Sequence, residues 1–492
     1  MVKKSRVFWI FLMVLAVFLL STCSKKKSTK PEPPKYKWTI LGYFDGNNEQ
    51  DLDILTNGSY VIQDVQEMEK VGSTDDVQII VMLGSVKTEG NCNYYLIEEH
   101  LNELPDSISS EILVDLDSMD MSDYQTLRDF IKYGVENYPA EHYMLIINDH
   151  GSGWKGICLD QQNGGGEMMS LPGLDSALYG YEFEIIVFNA PSMSMLEVAY
   201  QLKDKANYLV ASQFHLSMQN ILGSSEWLQG LADDPDMSPG SLARNIVDEI
   251  YDAAESEDKE THIAAINLSK IEALASKVAD LGNTLVMKAG AYWNEVFDAW
   301  MDARCYSYYD DSAFVDLEDF AEKIHASPNL DTAITNTARA VKNATGYAVI
   351  RSKSIPDYGR GGLSIHFPWK VSLFDSTHYV ELDFKNSNWH VFLSHFIPSI
   401  SGCLGGLEII SIPDEAEIFL NGQDTGLQTN TTIHGLLPGD YFVKLVKPGY
   451  QEKEWFATVE SDTIITYIIP LYGGHGSSSP PQQADRNLIF QQ

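Results

Sequence analysis

Two apolar runs end on residues whose types could do chemistry. Met144-Leu-Ile-Ile-Asn-Asp-His150-Gly-Ser-Gly-Trp154 delivers a histidine, and Ile185-Ile-Val-Phe-Asn189-Ala-Pro191-Ser-Met-Ser-Met195 delivers an amide, a proline and two hydroxyls. An imidazole titrates near neutrality and serves as a general acid or base. Gly151 leaves room for backbone amides to approach a developing oxyanion, where a side chain would obstruct. A base of this kind needs a nucleophile within about 3 Å. Pro191 offers none, lacks an N–H and stiffens its turn. Ser192 and Ser194 flank it, and Cys158 follows His150 closely. A thiol attacks only as thiolate, which a nearby imidazolium favours. Without such a partner, His150 reads as a structural histidine hydrogen-bonded at a strand end, and Cys158 as a small buried hydrophobe.

These groups must be carried by elements that bring the two runs together. Trp38–Phe44 and Val77–Leu83 read as strands, and Val61, Val65 and Met68 recur at helical spacing between them. Leu127, Phe130, Ile131 and Val135 form another helical stripe. Tyr143–Asp149 and Glu184–Asn189 are short and nearly continuously apolar, as in central strands of a parallel sheet covered on both faces. Met195–Leu202 reads as the helix that leaves the second, and Tyr208–Ala211 as a further strand. Such alternation predicts an α/β sandwich, in which functional groups gather at the carboxyl ends of neighbouring strands. Residues 238–345 read as mostly helical, with one long amphipathic pattern over Ile263–Met287. Leu407–Ile412 and Glu417–Leu420 read as strands, with Asn421-Gly422 as a hairpin turn because both residues tolerate positive φ.

The pattern over residues 38–400 resembles the clostripain family of cysteine peptidases, relatives of caspases. The resemblance is carried by Asp45-Gly-Asn-Asn48, by Asn148-Asp-His-Gly-Ser-Gly-Trp154, and by Met193 with Glu197-Val-Ala-Tyr200. Tyr308–Phe320 and Gly361-Gly-Leu-Ser-Ile-His-Phe-Pro368 extend it. It implies a caspase-like parallel sheet sandwiched by helices, with His150 and Gly151 as catalytic positions. It also implies a nucleophilic cysteine where Pro191 stands, and no cofactor. At Asn189 the family has an acid that faces a basic substrate side chain, and Ser212-Gln213-Phe214 replaces a Ser-Glu-Glu segment. The resemblance thus makes Asn189, Ser212 and Gln213 binding positions; carboxylates are lost at Asn189, Gln213 and Phe214, and with the one at Asn189 goes the main reason for Arg or Lys preference. Family members are often cut between the two strands, yet Gly156–Leu202 contains no Lys or Arg. The resemblance implies a pseudoenzyme whose crevice still takes a peptide or protein ligand. The alternatives are a peptidase of non-basic specificity with Ser192 or Cys158 as displaced nucleophile, and an envelope scaffold. Residues 406–471 resemble the PEGA domain, a small all-β module, through Ile412-Pro-Asp-Glu-Ala416, Asn421-Gly422, Leu437-Pro-Gly439 and Pro448-Gly-Tyr450.

At 492 residues the chain calls for more than one domain. Its net charge of -35 excludes the cationic surface that nucleic acid needs. Residues 1–22 have a basic start and an apolar stretch too short to span a membrane, as in a signal peptide. Leu20-Ser-Thr-Cys23 resembles a bacterial lipobox, with Cys23 as the lipidation site. The expected product is exported and held by its N-terminal lipid at a membrane or cell surface. Residues 23–37 form a Lys-, Ser- and Pro-rich linker, and residues 472–492 a disordered tail. Cys92, Cys158, Cys305 and Cys403 show no zinc spacing, and sequence alone does not pair them. Asp310, Asp311, Asp316 and Asp319 hold oxygens that could suit calcium, but no calcium-loop motif surrounds them, so no metal site is assigned.

Overall fold

The continuous apolar runs become the centre of one sheet. A computed structural model describes residues 35–48, 51, 58–101, 107–214, 224–257, 259–288, 292–303, 314–356, 361–368, 373–400, 405–436, 439–460, 463–473 and 489–491. Its nine-stranded sheet contains β1 (Tyr36–Gly46), β2 (Val77–Ser85), β3 (Asn91–Leu96), β4 (Glu111–Ser118), β5 (Ala140–Asn148), β6 (Phe183–Asn189), β7 (Ala206–Ala211), β8 (Thr261–Asn267) and β9 (Val349–Ile355). The spatial order is β9-β8-β7-β6-β5-β1-β2-β3-β4. The middle strands β7, β6, β5, β1 and β2 run parallel. The two strands at each edge join antiparallel, which makes the sheet mixed.

Side chains alternate faces along each strand. Leu41, Tyr43, Leu145, Ile147, Ile186 and Phe188 enter one core. Ile40, Met144, Ile146, Ile185 and Val187 enter the other. That second core is covered by α1 (Tyr60–Glu69) and α2 (Pro239–Ser256), whose Val61, Val65, Leu242 and Ile246 are buried against it. α1 is started by Ser59, whose hydroxyl accepts from the Ile62 N–H.

The pattern read as one helix over Ile263–Met287 is two elements. Thr261–Asn267 is β8, paired with β7 and β9, and the helix begins at Ile271 and ends at Lys288. Ala264 and Ala265 favour a helix on intrinsic grounds, but their burial between two strands decides the outcome.

Residues 405–471 form two small sheets around Leu407, Ile409, Ile418, Val443, Leu445 and Ile469. The Asn421-Gly422 turn joins two paired strands, and both residues take positive φ (50° and 82°). Residues 1–34, with Cys23, and Cys305, Cys403, Asp310, Asp311, Leu437, Pro438 and 474–488 lie outside the described residues.

Candidate active site

Register brings the two chemical runs side by side. Asn148 pairs with Asn189 across β5 and β6, so His150 and Pro191 each follow two residues beyond one shared strand end. Gly151 meets Pro191 directly. A Cβ on Gly151 would stand 2.3 Å from the Pro191 carbonyl oxygen and 2.9 Å from Met193 Cγ. The glycine is therefore required by close packing of the two turns, a reason distinct from the access to an oxyanion inferred from sequence.

The segment Pro191–Met195 is held from both flanks. Ser192 N–H donates to Phe214 O (3.1 Å), and Ser194 N–H donates to Ser212 O (2.7 Å). On the other side Ser364 N–H donates to Ser194 O (2.9 Å), and the Ser194 hydroxyl donates to Gly362 O (2.6 Å). Ser192 takes φ 61°, and its side chain is nearly enclosed. Next in the chain, the helix Leu196–Leu202 presents Glu197, which is fully buried. Its Oε1 accepts from the Tyr379 hydroxyl (2.6 Å) and the His366 N–H (2.9 Å). Trp154 packs its ring on His366 and Tyr379, each at 5.1 Å, and so anchors the loop that follows His150.

His150 is oriented by its own neighbour. Its Nδ1 lies 2.7 Å from Asp149 Oδ1. Asp149 is buried and also accepts from Asn48 Nδ2 (2.8 Å) and from the Leu159 N–H. Asp45, from the end of β1, and Cys158 lie beside it, and the polar atoms of the three fall within 4.8 Å of one another. Burial, together with the charges of Asp149, Asp45 and Asp160, pushes the Cys158 thiol well above its usual range. That environment opposes a thiolate. The Asp149 role was legible only as adjacency in Asn148-Asp-His150, and Asp45 stands far away in the chain.

Each binding position expected to have lost a carboxylate stands beside another. Asn189 Nδ2 lies 3.4 Å from Asp64 Oδ2, and Asn148 Nδ2 donates to the same oxygen at 2.6 Å. Asp64 comes from α1 and is buried. Gln213 Nε2 donates to Asp316 Oδ2 (2.9 Å), while Ser212 shares its hydroxyl with the Phe214 backbone. A buried carboxyl group thus lies one side chain away at both places. Asp316 also accepts from the Asp319 and Gly362 N–H groups, so its oxygens cap a helix and a loop.

The clostripain family model matches residues 45–394, and the PEGA domain model matches residues 404–471. Clostripain from Hathewaya histolytica is 23% identical over 304 aligned residues, a match that covers 50% of this chain and 57% of that protein. The chain thus spans a little over half the length of this relative. The structure of an inactive zymogen of a protease from Parabacteroides distasonis is similar with a TM-score of 0.53 at 21% identity, over 72% of this chain and 99% of that one. A secreted cysteine protease from Bacteroides thetaiotaomicron, in complex with an irreversible peptide inhibitor, gives 0.54 at 18% identity over the same shares. These two likenesses show the fold, and the chemistry of the family needs no cofactor. The chain therefore belongs to the clostripain family and carries a PEGA domain after its peptidase-like body.

Proposed function

We propose that this chain has lost peptide-bond cleavage and uses the crevice at the ends of β5 and β6 to bind a peptide or protein segment. In this reading it is exported, held at the cell envelope by a lipid on Cys23, and oriented there by the PEGA domain. The observation that carries the proposal is Pro191, a residue with neither nucleophile nor N–H, two positions beyond the strand end that pairs with the His150 strand. The fallback groups support it. Ser194 is buried and bonded to Gly362, and Cys158 is buried among acids that oppose its ionisation. Bringing Ser192 into the Pro191 position would break the hydrogen bonds to Ser212 and Phe214, at about 1 kcal/mol each. Retention of a peptide-accepting crevice fits the inhibitor complex of the Bacteroides thetaiotaomicron relative.

The test is to incubate the full chain with a broad peptide library and a thiol-directed activity probe. Retention of some peptides without cleavage or labelling is expected. Labelling that disappears in His150→Ala would overturn the proposal. The double substitution Asn189→Asp with Pro191→Cys should restore some cleavage after basic residues. Metabolic lipid labelling that survives Cys23→Ala would overturn the anchoring.

A further inference from the structure

Asp45 and Asp149 stand at the ends of neighbouring strands, β1 and β5, and each residue is 1% exposed. Their hydrogen-bond partners differ sharply. Asp149 meets three nitrogens: Asn48 Nδ2, the Leu159 N–H and His150 Nδ1. Asp45 Oδ1 accepts from the Asn47 N–H at 3.1 Å, and its Oδ2 has no hydrogen-bond partner among the described residues. The other groups facing the pair are Asp160, the Cys158 thiol and the Tyr43 hydroxyl, which donates to Met121 O. Among the described residues no Lys or Arg forms an ion pair with Asp45, Asp149 or Asp160.

Two carboxylates this close in a dry site do not both ionise, so they share one proton. The donors decide which holds it. A carboxylate that accepts two N–H groups and faces a third nitrogen is stabilised in its charged form, whereas a buried oxygen without a donor is relieved by becoming an O–H. Burial and the neighbouring Asp149 charge push Asp45 in that direction. We propose that Asp45, as a neutral acid, donates to the Asp149 carboxylate, which in turn holds the His150 imidazole with its proton on Nδ1 and its acceptor on Nε2. Asp45 and Asp149 are then positioning residues. They keep one tautomer of the imidazole at the crevice, whether or not that crevice also binds a peptide.

The experiment is nitrogen-15 NMR of the histidines in the full chain, with the His150 signals assigned through His150→Gln. The wild type should show neutral His150 protonated on Nδ1. Asp45→Asn replaces an O–H donor with an N–H donor of the same shape and should leave the His150 titration midpoint in place. Asp149→Asn should lower it by about one pH unit or more. An Nε2-protonated tautomer in the wild type would overturn the proposal without any variant. So would an Asp45→Asn midpoint that falls as far as that of Asp149→Asn, since Asp45 would then be the charged member. Perturbation of the wild-type signals by Zn²⁺ or Ca²⁺, absent in Asp45→Asn, would show that a cation and not a proton joins the pair.

Discussion

Asp64→Asn should make this protein less sensitive to alkali. The carboxyl of Asp64 sits under the paired amides of Asn148 and Asn189, and its Oδ1 has no hydrogen-bond partner among the described residues. Burial is the main cause that raises its pKa from 3.8 to about 7; Glu67 and Asp51 add to it, against Asn148 and Lys259. The folded value lies above the unfolded one, so the native state binds the proton more tightly. Its contribution to stability is complete below pH 3.8 and drains away as pH rises through about 7. The rise to about 7 corresponds to about 4 kcal/mol in all, of which roughly 3 kcal/mol is lost between pH 5 and pH 8. Asparagine keeps an oxygen for Asn148 and cannot ionise. Urea unfolding of both full chains, followed by tryptophan fluorescence at pH 5 and pH 8, reads the difference. The peptidase-like transition must be separated from that of the PEGA domain, because a chain with two bodies need not unfold in one step. The variant should lose up to roughly 3 kcal/mol less than the wild type between the two conditions. Parallel losses in the two proteins would refute the reasoning, because the Asp64 proton would then not be linked to folding.

Glu197→Ala should destabilise the peptidase-like body by about 3 kcal/mol, since it leaves the Tyr379 hydroxyl and the His366 N–H without their acceptor, while Glu197→Gln should cost much less; thermal unfolding of the two variants compares them. Gly151→Ala should cost about 1–3 kcal/mol by driving a methyl into the Pro191 carbonyl, and a calorimetric Tm equal to wild type would contradict that packing. Cys92 and Cys158 should resist alkylation in the native protein, because burial drives Cys92 up to about 12 and Cys158 well above its usual range. Peptide mapping by mass spectrometry before and after denaturation checks this, and native labelling at either position would count against it.

Much of the centre was legible because burial on both faces writes itself as an unbroken apolar run, as in Tyr143–Asp149 and Glu184–Asn189. The edges were not. β3 and β4 face solvent in part and mix polar with apolar residues, so their pairing is set by neighbours in the sheet. β8 hid inside a helical pattern for another reason: it is buried, and its Ala264 and Ala265 favour a helix on intrinsic grounds. At the site, the chemical positions could be read from local motifs, but the groups that govern them could not. Asp64 reaches Asn189 across 125 residues, and Asp45 meets Asp149 only because β1 lies beside β5. Adjacency did place Asp149 next to His150, yet nothing in the chain told which way either side chain turned.

The double-sided bracing of Pro191–Met195 separates the path of this segment from the identity of its first residue. Its path is dictated by Ser212–Phe214 on one side and Gly362–Ser364 on the other, so the tip residue is a passenger on a contour drawn elsewhere. The side chain carried at that tip can therefore change while the residues that draw its path stay in place.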